Sequence, residues 1–396
     1  MSGKNGRKAF SLFVFIFFLA PCWGCTGTPS DQTPRVTSAL LPTTIIHTSI
    51  PPTSTTTSTP SSSPTATEIP TQTPTELPAL PKLYLDGAYI RRSDTGEIVQ
   101  LKGVVIQSPI HDSSSRELRV SLELIGIAKK WGANLIRVPF YARGALPHIS
   151  DIKRIIEEAH QSRMYVMLTP SSLSGPYLDI PYPNDEVITV IGKLADELRL
   201  YNNVILDIWN EAPDVSWSEL YPVVETTIQT IRTVNPDVLI GVPGTQWSRD
   251  FRYLLSHPLP YDNLIYRVQD IPWVDPTWIE IPSGHNIDRL FLWMDLLDGN
   301  HAVMIGEFNY PGLSVFNHEQ NVIEWIEQTL AIVNDHGLSY TAFELNRWSV
   351  DTGRYVATDL LDASGPLVPG AGPYPLAPRG KEIFDDLQAN PPTQFR

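Results

Sequence analysis

Residues 203–214 read NVILDIWNEAPD, a largely apolar run that stops at an amide and a carboxylate, Asn210-Glu211. Apolar residues that continue rather than alternate mark a strand covered on both faces, as in a parallel sheet. A carboxylate ending such a strand, with no lysine or arginine beside it in sequence, is expensive as a purely structural element. The run therefore predicts a buried parallel strand that delivers its last residues to a site.

Seven further runs have the same character: 101–107, 134–140, 164–169, 238–243, 264–269, 302–307 and 338–345. Between them lie stretches with helical periodicity, among them RELRVSLELIGIAKKWG, DIKRIIEEAHQS, EVITVIGKLADELRLY, SELYPVVETTIQTIRTV and EQNVIEWIEQTLAIVNDHG. A strand-then-helix repeat of this kind predicts an α/β fold, a TIM (β/α)8 barrel over residues 82–396, with an open doubly wound sheet as the alternative. No G-x-G-x-x-G or phosphate-binding loop follows the first run, which weighs against a nucleotide-binding version. Ahead of the repeat, LYLDGAYI and RSDTGEIVQL carry the turn pairs Asp86-Gly87 and Thr95-Gly96, the pattern of a short hairpin.

The N-terminal part is organised differently. Lys4, Arg7 and Lys8 precede an apolar run from Phe10 to Ala20, the layout of an export signal over residues 1–25. That run is short for a membrane span, which needs roughly 20 apolar residues. Cys25, after the small Gly24, resembles a lipoprotein processing site, so a membrane tether through a lipid on Cys25 and plain secretion both stay open. Either way the protein is expected outside the cytoplasm. Residues 26–81 are rich in Thr, Ser and Pro, and all of 51–60, PPTSTTTSTP, belongs to these three types. Such a composition cannot bury enough apolar surface to order itself, so this stretch reads as a linker.

Cys22 and Cys25 are the chain's two cysteines, so the barrel folds without a disulfide or a thiolate metal site. The nine histidines follow no metal-ligand spacing, and no metal or other cofactor is expected. A formal charge of −14 argues against nucleic acid as a partner, because binding phosphates needs a basic face. The expected partner is a polysaccharide or oligosaccharide substrate, and the expected state a monomer.

In a TIM barrel the C-terminal ends of the strands line the active-site mouth. Glu211 closes the fourth run and Glu307 the seventh, so the two can face each other there. Two facing carboxyls are what cleavage of a glycosidic bond requires: one protonates the departing oxygen, and the other attacks the anomeric carbon or activates water.

On these residues the chain resembles glycoside hydrolase family 5, the cellulase family of the larger clan of such barrels. WGANLIRVPF, NNVILDIWNEAPD, VPGTQWSRD, AVMIGEFN and YTAFELNRWSVDTG resemble that family's second, fourth, fifth, seventh and eighth strand segments. The resemblance implies a retaining mechanism, with Glu211 as acid/base, Glu307 as nucleophile, Arg137 holding Glu307 ionised and Asn210 contacting the sugar 2-hydroxyl. It places Trp247, Gln269 and Phe343 in the sugar-binding subsites. Ser171 stands where the family carries a third-strand histidine, and Gln269-Asp270-Ile271 stands for its sixth-strand His-x-Tyr pair. Trp217, Trp273 and Trp348 are further candidates for a stacking floor, and His111 for a loop at the mouth. Glu344, next to Phe343, should point the other way and be structural.

Two other functions stay in view. A barrel with altered sugar contacts could be a carbohydrate-binding protein without turnover. An aldolase-like enzyme would need a strand-end lysine, and none of the eight runs ends in one.

Overall fold

The computed structural model describes residues 78–107, 115–142, 145–171, 180–212, 215–270, 299–308, 319–349, 354–358, 360–362 and 374–395, with Leu296, Leu367, Val368 and Gly370. The export segment with Cys25, most of the linker, His111, Ile271 and Trp273 lie outside the described residues, as does the side chain of Trp348.

Each of the eight apolar runs supplies one barrel strand. These are β3 (Lys102–Val105), β4 (Leu135–Tyr141), β5 (Tyr165–Ser171), β6 (Val204–Asp207), β7 (Ile240–Pro243), β8 (Leu264–Asp270), β9 (Ala302–Phe308) and β10 (Ser339–Ala342). They pair in chain order, all parallel, and β10 closes onto β3 through Tyr340↔Lys102. That closure excludes the open sheet. In front of the barrel, β1 (Leu83–Asp86) and β2 (Tyr89–Arg92) form the expected antiparallel hairpin.

The helices α1 (Ser115–Trp131), α2 (Ile149–Gln161), α3 (Asp185–Glu197), α4 (Trp217–Val234) and α5 (Glu319–His336) follow the helical stretches of the sequence. Local chemistry sets their starts. The Asn184 side chain accepts from the Val187 amide to cap α3, and Ser216 with Glu219 forms a capping box at α4. Elements with no counterpart in the sequence reading include a second hairpin, β11 (Asn346–Ser349) with β12 (Arg354–Ala357), and a final helix, α6 (Pro378–Ala389). Among the described residues no helix is long and apolar enough to cross a membrane.

Strand residues alternate between two cores, as a period of two requires. Ile136, Val166, Leu206, Ile240 and Val268 face outward and pack with helix residues such as Leu124, Ile155, Leu194 and Ile228. Leu135, Met167, Ile205, Leu239, Ile265 and Met304 face the interior and fill its lower half. Leu83 and Ile90 of the hairpin, together with Leu80 and Phe395, belong to that same inner cluster and close the barrel's floor. Burying side chains of this size stabilises by roughly 1.5–3 kcal/mol each. The packed body therefore starts before residue 82. Leu80 is fully buried, and the carbonyls of Pro78 and Pro81 accept from Arg163 and from Tyr165 Oη at 2.6 and 2.5 Å.

Candidate active site

Above the apolar floor the barrel interior changes character. Continuing the inward parity from Leu135, Met167, Ile205, Leu239, Ile265 and Met304, the next residues are Arg137, Thr169, Asp207, Gly241, Arg267 and Gly306. Arg137 and Arg267 are wholly buried, and Asp207 is 1% exposed. Over this layer, at the mouth, stand Asn210, Glu211, Gln269 and Glu307, all buried.

Arg137 joins the two halves of the mouth. Its Nη1 bonds Glu307 Oε1, its Nη2 donates to Asn210 Oδ1 at 2.5 Å, and its Nε donates to Thr169 Oγ1 at 3.0 Å. The fork geometry of a guanidinium permits this three-way hold, which an ammonium could not copy. Thr169 Oγ1 in turn donates to Asp207 Oδ2 at 3.1 Å. Asp207 Oδ2 lies 2.5 Å from Arg267 Nε, and Arg267 Nη2 bonds the main-chain carbonyls of Trp209, at 2.6 Å, and of Asn210.

Regular strand β6 ends at Asp207, so Asn210 and Glu211 lie beyond it on a segment that neighbours hold individually. The Asn210 amide donates to Pro170 O at 2.8 Å, and Ser248 Oγ donates to Asn210 O at 3.3 Å. The Trp247 amide reaches Ala212 O at 2.8 Å from a turn in which Gln246, Trp247 and Ser248 all have positive φ. Three consecutive non-glycine residues in the left-handed region are costly, and such strain gathers at functional sites.

Glu307 reaches the interior by a different device. Along β9, Ala302 and Met304 face inward and Val303 and Ile305 outward, so strict alternation would turn Glu307 toward the helices. The pairing with β8 instead skips a residue: Val268 opposes Ile305 and Gln269 opposes Glu307, leaving Gly306 as a β-bulge. The bulge lets Gly306 and Glu307 both face inward, and Phe308 resumes the outward side.

The two carboxyls differ electrostatically. Glu307 pairs with Arg137, whereas burial and then the Glu307 charge push Glu211 from an ordinary 4.5 up to about 8; Arg267, Arg137 and a hydrogen bond from Gln269 oppose the rise. At neutral pH Glu211 carries its proton, while Glu307 sits against the Arg137 guanidinium. Gln269 Oε1 and Trp209 Nε1 are buried without a hydrogen-bond partner among the described residues.

The mouth thus brings together Arg137, Asn210, Glu211, Gln269 and Glu307. Trp247, half-buried, follows β7 on the strained turn, and half-buried Phe343 follows β10 with its amide bonded to Phe308 O at 3.0 Å. Ser171 ends β5 and is buried. Trp217 is a packing residue: it starts α4, is 7% exposed and stacks on Tyr253. Glu344 is buried and accepts from Gln107 Nε2 at 2.8 Å. Among the described residues no group of three His, Cys, Asp or Glu side chains is arranged to hold a metal.

Sequence reasoning missed Asp207 and Arg267. The signal was present: one acidic and one basic residue interrupt the apolar runs NVILDIW and LIYRVQ at inward parity, and opposite charges so placed inside one barrel have each other as partners.

Comparison with known proteins agrees with the geometry. Residues 94–349 match the family described as Cellulase (glycosyl hydrolase family 5). An endoglucanase of Clostridium saccharobutylicum is 28% identical over 188 residues, 43% of this chain and 39% of that protein. Endoglucanase A of Butyrivibrio fibrisolvens is 26% identical over 243 residues, 57% of this chain and 52% of that one. The chain thus spans about half or less of the length of these relatives. Among solved structures, the catalytic domain of a Thermobifida fusca endoglucanase shares the fold with a TM-score of 0.58 at 18% identity, covering 78% of this chain and 97% of that one. A family match that covers most of the barrel, with the paired carboxyls at the strand ends inside it, makes this chain a member of glycosyl hydrolase family 5.

Proposed function

We propose that the protein is a retaining glycosidase that hydrolyses O-glycosidic bonds of a β-linked polysaccharide or oligosaccharide, glucan-like or mannan, with Glu211 as acid/base and Glu307 as nucleophile. The observation that carries this reading is the divergence of the two carboxyls: Glu307 is paired with a buried guanidinium, while Glu211 is raised to about 8 in the same mouth. Environments that push two carboxyls apart in this way assign the acid and the nucleophile. The endoglucanase relatives make a β-glucan the first substrate to try.

In the first step Glu211 gives its proton to the departing glycosidic oxygen as a Glu307 carboxylate oxygen bonds the anomeric carbon and the C–O bond breaks. In the second, Glu211, now a carboxylate, takes a proton from water, and the hydroxyl oxygen displaces Glu307 from the sugar. Arg137 keeps Glu307 ionised and aimed, and the same side chain holds Asn210, which is placed to meet the 2-hydroxyl. Trp247, Gln269 and Phe343 line the sugar subsites. Export by the N-terminal segment, with Cys25 carrying the lipid of a surface tether, completes the proposal. Loss of palmitate labelling in Cys25→Ala tests that part.

The central test is hydrolysis of an aryl β-cellobioside and of soluble β-glucan. Glu211→Gln and Glu307→Gln should each lower kcat by about 10³-fold or more, because acid and nucleophile act as a unit. A 2-fluoro-sugar should leave a covalent adduct on Glu307 that mass spectrometry locates. Tight glucan binding without turnover in the folded wild-type protein would instead identify a carbohydrate-binding barrel.

A further inference from the structure

The chemistry set out above has no direct use for Arg267, yet the barrel is built around it. The side chain is wholly buried, with Nε 2.5 Å from Asp207 Oδ2 and Nη2 on the carbonyls of Trp209 and Asn210. Two neighbouring strands carry glycine where the pair needs room. A Cβ on Gly241 would stand 2.9 Å from Asp207 Oδ1, and one on Gly306 would stand 2.5 Å from Arg267 Cδ. Neither glycine has positive φ, so space rather than backbone conformation calls for it.

We propose that Arg267 is a positioning residue for Glu211: seated on Asp207, it grips the main chain that carries Glu211 and keeps a buried positive charge beside that carboxyl through both halves of the reaction. This rests on the glycosidase reading of the site.

The grip is part of a closed circuit. Arg137 bonds the side chain of Asn210, Arg267 bonds its carbonyl, and Asp207 with Thr169 joins the two arginines from below. Asn210 is thus held by its side chain from one arginine and by its main chain from the other, and its carbonyl carbon is bonded directly to the Glu211 nitrogen.

The charges that act on Glu211 are Glu307 from β9, Arg267 from β8 and Arg137 from β4, and Gln269 of β8 adds a neutral donor; Asp207 pairs with both arginines. With Glu211 protonated, the two guanidinium ions balance the carboxylates of Asp207 and Glu307. When Glu307 becomes an ester and Glu211 releases its proton to the leaving oxygen, one negative charge moves from Glu307 to Glu211 and the sum stays at zero. Arg267 favours the ionised Glu211 against the effect of burial. Ionised Glu211 is the form that must activate water in the second half-reaction. Removing Arg267 should therefore slow release of the sugar from Glu307 more than its capture.

The full chain carrying Arg267→Met, Arg267→Lys or the charge-neutral double change Asp207→Asn/Arg267→Met tests this. The first readout is the Glu211 carboxyl titration by ¹³C NMR, assigned through its absence in Glu211→Gln; it needs no turnover. Arg267→Met should move the midpoint to higher pH, and Arg267→Lys, which keeps the charge, should bring it back toward wild type. The second readout is aryl cellobioside kinetics: a kcat lower by about tenfold or more with KM unchanged or reduced, and a glycosyl-enzyme that accumulates to visibility in the intact mass. If Arg267→Met does not fold, the double variant, which leaves no buried unpaired charge, decides by the same midpoint. A folded Arg267→Met or Asp207→Asn/Arg267→Met variant with a wild-type Glu211 midpoint overturns the proposal. Absence of hydrolysis by the wild-type protein overturns the glycosidase reading, while the midpoint still decides the role of Arg267.

Discussion

At Glu211 burial and the Glu307 charge work against two arginines and prevail, leaving the carboxyl protonated up to about pH 8. In the proposed mechanism the first half-reaction needs that proton, so kcat/KM should fall as pH rises through about 8; a basic limb unchanged in Glu211→Gln would show that another group controls it. The same shift has a consequence for stability. Folding raises this pKa, so between an ordinary 4.5 and about 8 the native state holds a proton that the unfolded chain has lost, and stability declines as pH rises across that window. Glu211→Gln should flatten the decline and raise Tm at pH 8 by at least ~2 °C, measured by calorimetry at several pH values. At this scale the sequence was legible where chemistry sits on strand ends: Glu211, Glu307, Arg137 and Asn210 meet in one mouth. Arg267 and Asp207 were harder to read, because their roles lie in contacts with each other and with main-chain carbonyls, which no local pattern records.

Elements were legible wherever hydrophobic period and length agreed, and all eight apolar runs became strands for that reason. The aim of Glu307 was not legible. Its direction depends on a single skipped pairing at Gly306, and a bulge is a property of two strands together rather than of AVMIGE alone. Gly306→Ala should keep the bulge but crowd Arg267, costing about 1–3 kcal/mol in denaturant unfolding. The final helix was missed because its buried face is short. Ile383 and Leu387 join the outer core, and the rest of its attachment is polar: Asp386 accepts from Lys102 Nζ at 3.3 Å, from Tyr340 Oη at 2.8 Å and from Asn334 Nδ2 at 2.7 Å. Burial pushes the Lys102 ammonium down and Asp386 opposes this, so Asp386→Ala leaves a buried cation unpaired. That change should destabilise by about 3–5 kcal/mol, readable as a lower urea midpoint.

On the scale of the whole molecule the barrel is closed by apolar packing at one end and lined with buried polar and charged side chains at the other. The hairpin, Leu80 and Phe395 seal the floor, and the inner cluster gives way upward to the charged layer and then to the mouth. One floor residue has a further use. Arg163 donates from Nη1 to Pro78 O at 2.6 Å and from Nε to Phe395 O at 3.2 Å, so a single side chain clasps both the first and the last described residues of the barrel. The ends of the fold are neighbours, and its order along the chain is a matter of where the ring is cut. A circular permutant that joins residue 395 to residue 78 by a few glycines and opens the chain at the exposed turn around Leu200 should fold and keep its two carboxyls in register.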